Sequence, residues 1–273
     1  MYSIRKGKME MNQITGYNRK NTSNCMKLIL GKYKVKSDFI RNLRKYYYFY
    51  AVVFVFNIKE LPYFMGDEFL WGLIIANVLI SFKGFNDALF YRKYLFHVGS
   101  IRAGEQIRMI SSGFLHADEI HLAFNMITLY SFAPIVSVFL GGWSFLLIYF
   151  GSLIFGNLLT MVIHGHNYSY SAVGASGAVT GIIYAAILLF PQMQIYGFIP
   201  GYVFGVLYLM YSIYGMKAKN DNIGHTAHFG GAIGGYVITL LKEPLLFREN
   251  TMLVIVLAIP IVILFVMAKR GKL

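Results

Sequence analysis

Gly174-Ala175-Ser176-Gly177 opens an apolar run that continues from Ala178 to Phe190. The run is long enough to form a membrane helix, and it places Ser176 at the N-terminus of that helix. Small neighbours let a substrate carbonyl approach, and free backbone N–H groups and the helix dipole favour an oxyanion there. The same motif also serves plain helix packing in membranes, so it does not by itself decide between a nucleophile and a packing site.

The composition indicates a membrane protein. Of the 273 residues, 57% are hydrophobic and 14% are charged, which excludes an ordinary soluble domain and predicts an all-α polytopic membrane fold. Residues 1–67 carry 13 of the 25 Lys and Arg, against four acids. Because hydrophobic spans follow, topology control and attraction to anionic lipid explain this basic tail better than nucleic-acid binding does. The single cysteine, Cys25, lies in the tail, so no disulfide builds the fold.

We divide the chain into three segments. Residues 1–67 are predicted to form a largely disordered cytoplasmic tail with an interfacial helix at 46–58, and a translation start at Met65 is an alternative interpretation. Residues 68–245 hold six predicted spans, and residues 246–273 hold an additional C-terminal transmembrane helix. The predicted spans are Phe69–Phe85, His121–Leu140, Trp143–Ile163, Ala175–Phe190, Ile195–Tyr214, Ala227–Leu241 and Met252–Ala268.

One connection and one span in this arrangement have unusual lengths. Residues 86–112 are semi-polar and long for a membrane-protein loop, so we expect short helices that lie in the interface. The fourth span has about 16 residues and covers roughly 24 Å, less than a ~30 Å hydrocarbon core, before Pro191 ends it. A helix this short begins below one membrane surface, which would place Ser176 at the floor of a cavity.

Three polar residues open the even-numbered spans: His121, Ser176 and His228. Even-numbered spans cross the bilayer in the same direction, so these residues are expected at one depth on one side. Asn125 lies one helical turn after His121 and shares its face. An ionisable residue inside a membrane is a functional candidate because its burial is costly, although a histidine at a helix start is often only a structural hydrogen-bonding group.

Pairs of small residues on two spans predict that those spans approach closely. They are Gly177 and Gly181 on the fourth span, and Gly231 and Gly235 on the sixth. Such contact would bring Ser176 near His228, and a serine hydroxyl needs a base such as neutral histidine to act as a nucleophile.

His225 is the rival base, since it lies three residues before His228. We prefer His228 because Gly231 and Gly235 lie on its own helix face. The remaining histidines are interpreted mainly as structural or interfacial.

Three motifs together resemble the signatures of rhomboid intramembrane serine proteases. They are Gly-Ala-Ser-Gly at 174–177, His-Leu-Ala-Phe-Asn at 121–125 and Ala-His-Phe-Gly-Gly at 227–231, and their order and spacing match. The resemblance covers about Phe69–Leu241. In addition, the segment from Gly104 to His116 resembles the family's first-loop motif, with Ile107 standing where the family usually has tryptophan.

The resemblance implies a six-helix core with a Ser176–His228 dyad and no acidic third member. It implies an oxyanion site made by His121, Asn125 and the Ser176 N–H. Structural support is expected from Arg108 and His116, which would stabilise the first loop, and from Gly174, Gly177, Gly231 and Gly235.

The implied activity is that of a serine endopeptidase that cuts transmembrane or membrane-adjacent segments. The expected partners are transmembrane protein substrates and the lipid bilayer, with no nucleic acid, no cofactor and no metal. A peptide bond inside a helix has its carbonyl hydrogen-bonded, so the substrate helix must open before it can be cut.

The positive-inside rule places residues 1–67 in the cytoplasm and opens the active site to the opposite face. We expect a multi-pass protein of the bacterial cytoplasmic membrane. The basic end Lys269-Arg270-Gly271-Lys272 conflicts with this orientation if the seventh run crosses the bilayer, and a re-entrant or peripheral helix is the alternative for that run.

Three other classes of function are weighed against the protease. The first is a catalytically inactive rhomboid-like protein that binds membrane clients. The second is a histidine-box metal enzyme with ligand pairs His116/His121 and His225/His228, but such diiron sites need about eight histidines and the chain has seven. The third is a transporter, for which the sequence offers neither an inverted repeat nor a buried carboxylate pair.

Overall fold

The computed structural model describes residues 68–195, 197–218 and 224–271. The predicted basic tail 1–67 and its interfacial helix 46–58 lie outside these residues. The described part is built from helices with two very short antiparallel strand pairs, which confirms the predicted all-α polytopic membrane fold.

The long helices in chain order are α1 (Glu68–Asn86), α5 (Glu119–Leu140), α6 (Gly142–His164), α7 (Ser176–Leu189), α8 (Gly201–Ala218), α9 (His225–Lys242) and α11 (Thr251–Lys269). The short helices are α2 (Ala88–Tyr94), α3 (Val98–Arg102), α4 (Arg108–Ser111) and α10 (Leu246–Glu249). The strands are β1 (Phe96–His97), β2 (Ser171–Ala172), β3 (Gln194–Ile195) and β4 (Ile199–Pro200).

Four of the described helices, α1, α5, α6 and α11, are long and apolar enough to cross a membrane. Helix α7 is also apolar but has only 14 residues. Helices α8 and α9 have 18 residues each. The predicted count of seven crossings therefore stays a prediction for α7, α8 and α9, while the predicted positions of the helices agree with the structure to within a few residues, except at α8.

Helix α7 forms the centre of the structure. Every residue from Gly177 to Leu189 is buried, because α5, α6 and α9 pack around it. A helix surrounded by other helices on all sides needs no polar face, and its sequence is accordingly apolar all round. Ser176, its first residue, is half-buried at the edge of this packing.

The start of α8 differs from the prediction of a span from Ile195 to Tyr214. Residues 194–195 pair instead with residues 199–200 in a short antiparallel hairpin, and the helix begins at Gly201 and continues to Ala218. Two residues explain the break: Gly197 has a positive φ of 75°, and Pro200 lacks the N–H that a continuing strand or helix would use. The helix also extends past the predicted end at Tyr214, as far as Ala218.

The connection between α1 and α5 holds the short helices α2, α3 and α4, as the sequence predicted. One feature in it was not predicted: β1 pairs with β2, so that Phe96 lies opposite Ala172 and His97 opposite Ser171. This pairing ties the first loop to the segment that leads into Ser176. Helix α11 packs mainly on α8, outside the central group of helices.

Candidate active site

Gly174 shapes the approach to the candidate nucleophile Ser176. Its φ is 129°, a backbone conformation that side-chain-bearing residues rarely adopt. A Cβ at this position would also lie 2.8 Å from Cε1 and 3.0 Å from Nε2 of His121, and 3.5 Å from Oγ of Ser176. Both the conformation and the space therefore require glycine, and the absence of a side chain lets His121 approach the serine.

Ser176 and His228 stand beside the contact of two helix starts. A Cβ on Gly177 would lie 3.1 Å from the carbonyl oxygen of Ala227. Gly177 directly follows Ser176, and Ala227 directly precedes His228. The first turns of α7 and α9 therefore touch next to both side chains. Both Ser176 and His228 are half-buried.

The glycine pairs of α7 and α9 form this helix contact. A Cβ on Gly231 would overlap the carbonyl oxygen of Gly177, and a Cβ on Gly235 would overlap that of Gly181. The backbones of the two helices thus meet directly over two turns, as small residues at four-residue spacing permit.

His121 lies in the first turn of α5, where the carboxylate of Asp118 caps the helix by accepting the His121 N–H at 2.7 Å. The Nδ1 atom of His121 accepts the N–H of Ala117 at 3.4 Å. A neutral ring that accepts at Nδ1 carries its proton on Nε2, and Nε2 is the nitrogen that faces Gly174. The ring therefore presents an N–H donor towards the serine loop.

Asn125 is buried on the same face of α5, one turn further along. Its Nδ2 donates to the carbonyl oxygen of His121 at 2.9 Å. An amide nitrogen carries two hydrogens, so one hydrogen is used within the helix and the other is left for a second acceptor.

His116 connects α1 to the segment before Ser176. The Ser81 hydroxyl donates to the Phe114 carbonyl at 2.9 Å, so it accepts from Nδ1 of His116 at 2.8 Å. Nε2 of the same ring accepts the N–H of Ala175 at 3.4 Å. The fully buried ring is thus neutral and bridges two elements, and burial, followed by the neighbouring His121, lowers the pKa of His116 to about 3, against an opposing effect of Asp118.

Arg108 holds the first loop together. Its guanidinium donates to the carbonyl oxygens of Arg92 at 2.8 Å and Leu95 at 2.9 Å. It also forms an ion pair with Glu105 at 2.7 Å. The buried arginine thereby satisfies backbone groups at the end of α2. Ile107, which stands where the resemblance would place tryptophan, is 59% exposed and takes no part in this network.

Tyr208 of α8 belongs to the site and was not found from the sequence. Its hydroxyl lies 3.0 Å from Nδ1 of His228, and the two rings stack with centroids 5.9 Å apart. The chain has 21 tyrosines, and nothing in the apolar run around Tyr208 distinguishes it from the others. Only the packing of α8 against α9 reveals the contact.

Three further histidines make contacts of their own, and the ring of His225 also lies 6.3 Å from that of His228. His225, the rival base, is buried at the start of α9, where its ring packs against the backbone of Gly215. His164 stacks on Tyr170 with ring centroids 4.0 Å apart. His97 caps α3 by accepting the N–H of Ser100 at 3.2 Å. Within the ranges that the structure describes, no group of three or more His, Cys, Asp or Glu side chains is placed to hold a metal ion.

Comparison with known proteins points to the same family that the three sequence motifs resemble. The family model described as the Rhomboid domain matches residues 103–244, more than half of the chain. The rhomboid-family protein YdcA of Bacillus subtilis is 36% identical over 146 residues, which cover 50% of this chain and 68% of YdcA.

Two further relatives match a smaller share of their own length. Rhomboid protease GluP of Bacillus subtilis is 31% identical over 136 residues, which are 50% of this chain and 26% of GluP. The mitochondrial RHOMBOID-like protein 12 of Arabidopsis thaliana is 28% identical over 182 residues, which are 59% of this chain and 54% of that protein. The chain thus spans about half of the Arabidopsis relative and about a quarter of GluP.

Proposed function

We propose, starting from the fact that the chain belongs to the rhomboid family, that this membrane-embedded protein is an intramembrane serine endopeptidase. Ser176 is the nucleophile and His228 is the general base, without an acidic third member. His121, Asn125 and the backbone N–H of Ser176 stabilise the oxyanion. Arg108 and His116 hold the loops that surround the site.

One observation supports this proposal most directly: the first turns of α7 and α9 touch at Gly177 and Ala227, the immediate neighbours of Ser176 and His228. Two polar residues in the first turns of separate membrane-embedded helices would be costly to place together without a use. A hydroxyl beside an imidazole is the arrangement that activates a serine.

The reaction would proceed in two steps. The Ser176 oxygen attacks the substrate carbonyl carbon while its proton passes to His228, and the carbon–nitrogen bond then breaks as His228 returns that proton to the leaving amine. Water next attacks the acyl ester while His228 takes one of its protons. The bond between the acyl carbon and the Ser176 oxygen then breaks as His228 returns that proton to the serine oxygen, and the carboxylic acid product leaves. No residue changes its oxidation state and no cofactor enters the balance.

Charge develops on the former carbonyl oxygen during both steps. The N–H on Nε2 of His121 faces Gly174. A Cβ added to Gly174 would lie 3.5 Å from the oxygen of Ser176. A donor held there before reaction stabilises the oxyanion without reorganisation, which is where much of the rate enhancement of acyl transfer arises. Asn125 adds a second donor from the same helix face.

The substrates would be transmembrane or membrane-adjacent segments of other proteins. Their helix must unwind near the cut, because a helical peptide carbonyl is already hydrogen-bonded. We also propose that residues 1–67 face the cytoplasm and that Ser176 opens to the opposite side. The bacterial cytoplasmic membrane is the location that we propose, and the relatives include Bacillus proteins as well as a mitochondrial protein of Arabidopsis.

A reconstituted cleavage assay tests the proposal. The full chain in proteoliposomes is given a panel of single-span proteins whose helices contain a small residue followed by helix-breaking residues. We expect cleavage within or beside the span by the wild type, and none by Ser176→Ala or His228→Ala. Cleavage that continues in Ser176→Ala would refute the assigned nucleophile.

The same assay separates the protease from a catalytically inactive client-binding relative. A client-binding protein would retain a labelled span on affinity capture but release no fragments, and Ser176→Ala would retain it equally well. That outcome, together with wild-type protein unreactive to serine-directed probes, would favour the binding function.

A further inference from the structure

We propose that Tyr208 and Thr180 hold His228 in the tautomer that carries its proton on Nδ1, which leaves the lone pair of Nε2 to take the proton of Ser176. This inference rests on the proposed function and deepens it. It assigns Tyr208, from a helix that carries neither member of the dyad, as a positioning residue for the base.

The assignment starts from the hydroxyl of Thr180, one turn after Ser176 on α7. Thr180 Oγ1 donates to the carbonyl oxygen of Ser176 at 2.7 Å. A carbonyl oxygen can only accept, and a threonine hydroxyl has one proton. The direction of this hydrogen bond is therefore fixed, and Thr180 has no proton left to donate elsewhere.

The Tyr208 hydroxyl lies 3.4 Å from the same Thr180 oxygen. Since Thr180 has used its proton, Tyr208 must be the donor in this contact, and its own single proton points at Thr180. The Tyr208 oxygen then has only lone pairs to offer to its other neighbour.

That neighbour is His228, whose Nδ1 lies 3.0 Å from the Tyr208 oxygen. With Tyr208 as acceptor, Nδ1 must carry the hydrogen. A neutral imidazole has one N–H and one bare nitrogen, so Nε2 is the acceptor. A base that starts with Nε2 unprotonated can accept a proton there, whereas the other tautomer would first have to lose one.

Tyr208 thus does for His228 what an acidic residue does in a catalytic triad, where it fixes the tautomer and orientation of the histidine. A neutral hydroxyl has an advantage below the membrane surface, because burying a carboxylate there is costly. The stacking of the two rings at 5.9 Å restrains the orientation of the imidazole as well.

Helix α8 is held in a fixed position near this tyrosine. The Tyr184 hydroxyl of α7 donates to the carbonyl oxygen of Gly205 at 2.5 Å. On the other side, a Cβ on Gly205 would lie 3.0 Å from Leu257 of α11. Gly205 is one turn before Tyr208, so contacts with α7 and α11 together fix where the tyrosine hydroxyl stands.

Nitrogen NMR tests the tautomer without requiring catalysis. The full chain with ¹⁵N-labelled histidine is placed in lipid nanodiscs at about pH 8, where an imidazole of ordinary pKa is neutral, and the His228 signals are those absent from His228→Ala. We expect a protonated Nδ1 and a bare Nε2 in the wild type. Bare Nδ1 with protonated Nε2 in the wild type would overturn the proposal.

Substitutions of Thr180 provide the sharpest comparison. In Thr180→Val the Tyr208 proton loses its acceptor and turns to His228, so we expect the tautomer to switch to protonated Nε2. Thr180→Ser retains the hydroxyl and should keep the wild-type signals. If Thr180→Val also keeps the wild-type tautomer, the relay from Thr180 through Tyr208 does not exist.

The rate of reaction with a fluorophosphonate provides the functional readout. We expect Tyr208→Phe and Thr180→Val to react about 10- to 100-fold more slowly, since a histidine held in the wrong tautomer is a poor base. Tyr214→Phe is the matched control, because Tyr214 is an exposed tyrosine of the same helix. An unchanged rate in Tyr208→Phe, or an equal loss in Tyr214→Phe, would refute the assignment of Tyr208.

The two readouts keep this proposal distinct from the proposed function. If Ser176→Ala reacts like the wild type, the nucleophile is wrong, yet the tautomer of His228 can still be read from its nitrogen signals. If the nucleophile is right but the nitrogen signals show a protonated Nε2, only the relay fails.

Discussion

Gly231 lies so close to Gly177 that a Cβ on Gly231 would overlap the Gly177 carbonyl oxygen. This contact joins the helix that begins with Ser176 to the helix whose first turn holds His228. The separation of the two helix backbones that carry the candidate nucleophile and the candidate base is therefore set by this packing.

Replacing Gly231 by alanine should push α7 and α9 apart. Forcing one methyl group against a backbone carbonyl in a packed core destabilises by about 2 kcal/mol or more, and reaction at Ser176 should fall at the same time. Gly72→Ala is the matched control, since a Cβ there meets nothing within 4 Å, and alanine is the better helix former. Thermal unfolding in detergent gives the stability, and equal stability of the two variants would contradict the account.

Arg108→Ala should loosen the first loop. It removes hydrogen bonds to two backbone carbonyls and to Glu105, and hydrogen bonds of charged groups contribute about 1.5–3 kcal/mol each when buried partners are left unpaired. We expect a lower midpoint of thermal unfolding, only partly restored in Arg108→Lys, because lysine lacks the planar fork. Arg102→Ala, at an exposed arginine of the same loop, should have little effect. A wild-type midpoint in Arg108→Ala would show that the loop is held elsewhere.

The lowered pKa of His116 predicts how the stability of the fold depends on pH. Its pKa is lowered from 6.5 to about 3 in the folded protein, so the unfolded chain binds a proton at a higher pH than the folded chain does. The contribution of neutral His116 is complete above about pH 6.5 and is lost as the pH falls towards about 3.

Unfolding midpoints measured across that pH range give the test. His116→Asn should be less stable at neutral pH but should show a shallower loss of stability on acidification. His166→Asn is the control, because His166 is exposed and should keep the wild-type slope. If the unfolding midpoint of His116→Asn falls with pH as steeply as that of the wild type, another group causes the loss of stability in acid.

Asn125→Ala should slow turnover without abolishing it. Loss of one oxyanion donor costs up to about 10²-fold in kcat when others remain, and here His121 and the Ser176 N–H remain. Since Asn125 also donates within its own helix, a stability measurement should accompany the kinetics. Unchanged kcat would remove Asn125 from the site.

The positions of the long apolar helices could be predicted from hydropathy alone. The second span was predicted to begin at His121, and the carboxylate of Asp118 caps α5 just before that residue. The start of α8 was predicted wrongly, because the apolar residues around Ile195 satisfy a helical pattern and a strand pattern equally well. Gly197 and Pro200 decided between them, and such short hairpins depend on backbone conformation more than on composition.

Counting the spans predicted that Ser176, His121 and His228 lie on one side of the membrane. It could not identify Tyr208, whose contribution depends on the rotation of α8 about its own axis. That rotation is set by contacts between helices distant in the chain, such as Gly205 with Leu257. An apolar helix without a polar face gives the sequence no signal for it.

Covalent labelling tests the central claim most directly. The full chain in nanodiscs is treated with a fluorophosphonate, and the modified residue is located by peptide mass spectrometry. We predict an adduct on Ser176 that is lost in His228→Ala and unaffected in Ser169→Ala, an exposed serine of the preceding loop. An adduct on another serine, or labelling of Ser176 that does not depend on His228, would contradict the account.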